Sequence, residues 1–247
     1  MHTALEEGTL GRYAFLLESP ESVSVLAPFL EDAREIAYHR EYRSVTGLLE
    51  GETVTVTSTG MGGPSTDIAV EELHKCGADT MIFVGSGYPV SSMMKPGEAV
   101  IVNGAVRMEG VSTHYLPIEY PAAPDYQITK QLKISSEELG IRHYMGISVT
   151  TASLYSFLAP EKKPISSEIG SRMEAYRKGG VLTIDMESSV LFTVASTLGL
   201  RMGCVLACSD AEKKDGQVPS DYQDYVSAVR IVINAMKRII QRDRETA

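Results

Sequence analysis

The chain has 247 residues, 43% of them hydrophobic, with 23 Lys and Arg against 32 Asp and Glu and a net charge of −9. That is enough chain to bury a sizeable core as one α/β domain over residues 1–247, and its average field repels nucleic acid while leaving a small anion free to bind a local pocket. No run nears the ~20 consecutive apolar residues of a membrane span, residues 1–7 are acidic where a secretion signal is basic, and Cys76, Cys204 and Cys208 form no CxxC pair, so the expectation is a cytoplasmic protein with reduced thiols.

In chain order, β-rich runs fall at residues 13–17, 53–57, 80–84, 99–103, 144–150 and 203–208. Helical patterns lie between them, which predicts a sheet built from βα units. The second run leads into Ser58-Thr59-Gly60-Met61-Gly62-Gly63-Pro64-Ser65-Thr66 and a helix over residues 64–76, with Ile68, Ala69 and Leu73 inward and Glu71, Glu72 and Lys75 outward. Glycines there allow close approach to the backbone, and amides at a helix start attract anions. The loop has neither the Lys of a P-loop nor the GxGxxG of a dinucleotide fold. Residues 159–164 (APEKKP) predict a surface loop and residues 211–219 a mobile flap. A helix is predicted from Met186 to about residue 198. A terminal helix over 221–241 places Tyr225, Val229, Val232, Ile233, Met236 and Ile240 on one core-facing stripe.

Four segments carry a resemblance: residues 29–42 (FLEDAREIAYHREY), 58–73 (STGMGGPSTDIAVEEL), 106–126 (VRMEGVSTHYLPIEYPAAPDY) and 184–191 (IDMESSVL). Over nearly the whole chain, in one order, they resemble the uridine phosphorylase and hexameric purine nucleoside phosphorylase family. The resemblance implies a three-layer α/β/α sandwich around a distorted mixed β-sheet, assembled as a homo-oligomer, a hexamer built from dimers. It implies cleavage of a ribonucleoside, uridine or a purine nucleoside, to free base and ribose 1-phosphate. Inorganic phosphate is then the co-substrate, and no cofactor is bound.

On that resemblance Met186 and Glu187 bind ribose. A buried carboxylate gripping ribose hydroxyls orients the sugar and stabilises the positive charge that grows on it in the transition state, while Met186 supplies an apolar floor. Asp210 matches the acid that protonates a purine base, Tyr155 lines the base pocket, and Ser86 and Arg40 remain of the anion site, Arg40 reaching across a dimer interface. Glu41 and Ser65 match positions that bind a monovalent cation in some relatives, and His2 loosely resembles an N-terminal histidine lent to a neighbour's substrate; a disordered terminus is the expectation for it. His39 and His114 lack metal-ligand spacing.

The anion site departs from the family pattern. Its Gly-Asp-Pro-x-Arg loop is here Glu18-Ser19-Pro20-Glu21-Ser22, and Phe83 replaces a second arginine. Each lost guanidinium forfeits charge-assisted bonds of about 1.5–3 kcal/mol. Either Arg12 or Lys95 reaches the pocket and phosphorolysis persists, or Glu21 or Glu18 activates water in a phosphate-independent nucleosidase, or the chain is a non-catalytic nucleoside-binding subunit.

Overall fold

Every residue of strand β1 (Tyr13–Leu17) is buried, as a continuous apolar run requires when helices cover both faces of a sheet. The computed structural model describes residues 1–90, 94–209 and 223–246. Among them β1 pairs in parallel with β4 (Glu52–Ser58) on one side and β5 (Thr80–Pro89) on the other. Outside β4 lies an antiparallel meander of β3 (Tyr42–Leu49) and β2 (Glu31–His39). Beyond β5 the sheet runs through β8 (Thr183–Asp185), β7 (His143–Thr151), β6 (Ala99–Met108) and β9 (Arg201–Cys208). Because β9 also pairs with β5, from Thr80↔Arg201 to Gly87↔Cys208, this half closes on itself, and that closure is the distortion of the mixed sheet.

Helices cover both faces. Beneath α1 (Pro20–Leu26), α3 (Tyr126–Glu138) and α7 (Gln223–Thr246), one core gathers Val23, Leu26, Ile128, Leu132 and the α7 stripe of Val229, Val232, Ile233, Met236 and Ile240. A second lies beneath α2 (Gly63–Cys76) and α6 (Ser188–Leu198), with Ala69, Val70, Leu73, Val190, Leu191 and Val194. Burying each large apolar side chain contributes about 1.5–3 kcal/mol. The expected α/β/α sandwich is therefore the observed fold. Two further helices, α4 (Leu154–Leu158) and α5 (Ser166–Lys178), pack against Val149, Val181 and Ile184 at the far end of β7 and β8. Buried Arg107 orders the connection after β6 by donating to the carbonyls of Ser112, Leu116 and Tyr120 at 2.7–2.8 Å.

Several local expectations change. Within residues 29–42, a segment for which the composition read no strand, Glu31–His39 form β2 and Tyr42 opens β3. Helix α6 begins at Ser188, with Glu187 as its N-cap. Residues 159–164 hold a short 3-10 turn, Pro160–Lys162. Glu72, expected outward, is buried because it binds the start of the chain: Oε1 accepts from His2 N at 2.7 Å and Oε2 from Thr3 N at 2.8 Å. The N-terminus is thus docked, not disordered. All three cysteines are buried and none forms a disulfide among the described residues, and no helix of the described residues is long and apolar enough to cross a membrane. The flap expected at residues 211–219 lies outside the described residues.

Candidate active site

Strand β8 ends at Asp185 and α6 begins three residues later, so Met186 and Glu187 occupy a tight strand-to-helix turn. Asp185 caps that helix: its Oδ1 accepts from Glu187 N and Ser188 N, each at 3.3 Å, and its Oδ2 from Ser188 Oγ. Glu187 is 3% exposed. Its Oε1 accepts from Gly62 N at 2.7 Å and its Oε2 from Met186 N at 3.2 Å. Gly62 has φ +88°, a conformation that favours glycine, and a Cβ there would stand 3.6 Å from Met186 Cε. The glycine-loop amide of Gly62 is thus taken up by the chain's own Glu187 carboxyl. Burial, then the charges of Asp185 and Glu18, push the Glu187 carboxyl up to about 8, against the pull of the Gly62 and Met186 amides. Burial raises Asp185 as well, against its bonds to Ser188.

Facing this carboxylate is a second one. In the β1–β5 register Leu17 lies opposite Val84, which brings Glu18, just past the end of β1, close to Ser86. Glu18 Oε2 accepts from Ser86 N and Oε1 from Ser86 Oγ, both at 2.8 Å. Tyr225 of α7, read from sequence only as a core residue, places its hydroxyl 3.3 Å from Ser86 Oγ. Burial, and then Glu18, raise this phenol well above the usual range. Phe83 is fully buried, and its ring lies over Gly85, where a Cβ would stand 2.3 Å from Phe83 Cε1. Ser22, at the expected arginine position, bonds Ser19 Oγ at 2.9 Å.

The other predicted residues divide. Glu21 is exposed on α1 and lines a cavity of about 420 Å³ with Pro20, Ser24, Tyr38 and Arg43, so it does not join Ser86. Arg40 sits exposed at the β2–β3 turn with φ +56° and has no hydrogen-bond or ion-pair partner among the described residues; within one chain it is not brought to Glu18. Arg12 pairs with Asp79 at 2.8 Å at the opposite end of β1, and Lys95 is exposed; neither is brought to the anion seat. Glu41 and Ser65 do converge, both packing on Gly60. Tyr155 is 70% exposed on α4, and Phe157 of the same helix lines two cavities, one of them shared with Tyr88 and Ile184. Tyr88 is close enough to Glu18 and Tyr155 for both, after burial, to raise its phenol. Sequence reasoning passed over Tyr88 and Phe157, whose only signal was aromaticity near motifs already singled out. Asp210 lies outside the described residues; its neighbour Ser209 donates N–H to Gly87 O at 2.9 Å.

A mixed sheet closed on itself, with a glycine loop gripping a buried glutamate at the start of a helix, defines an α/β sandwich protein with a carboxylate-lined site. The chain belongs to the phosphorylase superfamily, whose family model matches residues 12–242. It is 42% identical over 211 residues to a uridine phosphorylase of Thermococcus kodakarensis, covering 83% of this chain and 75% of that one. It is also 34% identical over 244 residues to a uridine phosphorylase of Treponema pallidum, covering 98% and 95%. A guanosine phosphorylase of Halorubrum lacusprofundi is 30% identical over 244 residues, covering 95% and 97%.

Proposed function

We propose that this chain cleaves the N-glycosidic bond of a ribonucleoside, uridine or a purine nucleoside, and passes the ribosyl group to inorganic phosphate, giving free base and ribose 1-phosphate. The observation that carries this reading is Glu187, buried and held through both carboxylate oxygens by Gly62 N and Met186 N. Such a group is oriented before substrate arrives and costs little reorganisation when positive charge builds on the sugar. Met186 forms the floor, Tyr88 and Phe157 offer aromatic surface to the base, and Ser86 lies on the acceptor side. Asp210 is the proposed acid for a purine leaving group, and Glu41 with Ser65 the proposed seat of a monovalent ion. The relatives named for uridine and for guanosine support the reaction class and leave the base open.

For phosphate to enter, Glu18 has to swing off Ser86 and a cation has to come from outside the described residues. Arg40, exposed on its turn, fits that role when a second copy supplies it, so the active form is proposed to be a homo-oligomer of the hexameric, dimer-based type. Three buried cysteines, none in a disulfide among the described residues, suit a reducing cytoplasm. Incubation with uridine, inosine, guanosine and adenosine in phosphate buffer tests the reading. Release of base with ribose 1-phosphate is the expected result, and turnover unchanged in Glu187→Ala overturns the assignment of the site.

A further inference from the structure

The group seated on Ser86 is an anion supplied by the chain itself. Ser86 offers two donors, its N–H and its hydroxyl, and both go to Glu18 at 2.8 Å, one to each carboxylate oxygen. Tyr225 also hydrogen-bonds Glu18, and of the four lone pairs of the carboxylate one is left to accept, so the group is aimed and still able to bind a proton donor. Glu18, Asp185 and Glu187 interact electrostatically, and among the described residues none of the three hydrogen-bonds or ion-pairs with a Lys or Arg. A site of this kind attracts a ribosyl cation and repels a phosphate dianion. It suits a neutral acceptor, which needs a base where phosphate needs cations.

We infer that water serves as acceptor in this site in the absence of phosphate, with Glu18 as its base, so that the chain hydrolyses nucleosides as well as phosphorolysing them. The inference rests on the ribose assignment of the proposed function. In the step, Glu18 takes one proton from water while the water oxygen bonds to C1′. The C1′–N bond breaks, and its electron pair leaves on the base nitrogen, which takes a proton from solvent. Glu18 then returns its proton to solvent, so that nucleoside and water give ribose and base. The structure selects Glu18 over Glu21, which is exposed on the outer side of α1. Phosphate and the hydrolytic arrangement compete for Ser86, so the ratio of ribose to ribose 1-phosphate falls as phosphate rises.

The test uses the full-length protein with its best nucleoside in phosphate-free buffer and in graded phosphate, with base and both sugar products quantified. Equal amounts of base and free ribose without phosphate are expected. Glu18→Gln, which keeps shape and polarity, should lower the phosphate-free rate about 10²-fold or more with little change in the Kd for nucleoside; Glu18→Gly, which empties the seat, should lower it similarly while raising the phosphate-dependent rate. Base release that requires phosphate and yields ribose 1-phosphate alone overturns the inference and leaves the proposed function standing. A phosphate-free rate unchanged in Glu18→Gln also overturns it, and absence of base release under every condition removes both readings.

Discussion

Glu187 Oε1 accepts a hydrogen bond from the Gly62 N–H at 2.7 Å, joining the turn after β8 to the loop after β4 across 125 residues of sequence. Neither loop builds the proposed sugar site alone. Burial, against the pull of this bond, sets how the site responds to pH. The Glu187 carboxyl is raised from its ordinary 4.5 to about 8 by burial and by the neighbouring charges of Asp185 and Glu18. A carboxyl raised by folding contributes stability that is fully present below pH 4.5 and is lost as pH rises through about 8. Between pH 6 and 9 the wild-type Tm should therefore fall more steeply than that of Glu187→Gln, whose amide does not ionise. Parallel Tm profiles for the two would refute the raised pKa.

Catalysis runs the other way. Ribose hydroxyls bond the ionised Glu187 more strongly than its neutral form, and only the ionised form offsets charge on the sugar, so kcat/KM should climb with pH up to about 8, the free-enzyme value. Glu187→Gln should lose about 10²-fold or more in kcat/KM, the scale of removing one preorganised electrostatic contact. A wild-type optimum below pH 6 would contradict the assignment.

The residues of the proposed ribose half of the site were readable in the sequence, and those of the proposed acceptor half largely were not. Gly62, Met186 and Glu187 each stand in a contiguous motif, so their pattern survives without coordinates. The partner of Glu18 is set by the register of β1 on β5, and no local pattern states where a carboxylate just past a strand will point. Tyr225 was hidden for another reason: a helix stripe looks the same whether its first residue packs in the core or reaches a polar site. Among the strands, β1, β5 and β9 were legible as apolar runs buried on both faces. Strand β2 was not, since Glu31, Asp32, Arg34 and Glu35 are exposed and two register shifts break its pairing with β3. Strand β8 is three residues long, too short to show a period.

Phe83 and Gly85 are sterically coupled. A Cβ at Gly85 would come within 2.3 Å of Phe83 Cε1, and the ring is fully buried, so it has no open side to move into. Gly85→Ala should cost about 1–3 kcal/mol in unfolding free energy, the usual scale of overpacking. Phe83→Leu in the same chain should recover part of that loss. Additive single and double mutants in denaturant titrations would show that the two positions do not interact.

Glu72 holds the N-terminus. Burial works against its charge, but the bonds from Thr3 and His2 outweigh that and lower the carboxyl to about 2. With the folded pKa depressed, its stabilisation is present above the ordinary 4.5 and is lost as pH falls through about 2. Glu72→Gln should reduce stability at pH 7 by about 1.5–3 kcal/mol and flatten the acid limb of the Tm profile. It should also expose residues 1–5 to limited proteolysis at neutral pH. A terminus that stays protected in the variant would show that contacts other than Glu72 hold it.

Arg40 separates a single-chain site from a shared one. Exposed at the β2–β3 turn, it has no hydrogen-bond or ion-pair partner among the described residues, and a guanidinium is the group best suited to gripping phosphate. If it acts in a neighbouring subunit, Arg40→Ala and Glu187→Gln are each defective in a different component of a composite site. Co-expressed, the two variants should form mixed oligomers in which some sites have both native residues, and phosphate-dependent activity should exceed that of either variant alone. Refolding them separately and mixing under non-exchanging conditions should give no gain. Wild-type protein that runs as a monomer on a sizing column while phosphorolysing nucleosides at full rate would rule out the shared site, and the anion would then have to be held by residues of the same chain.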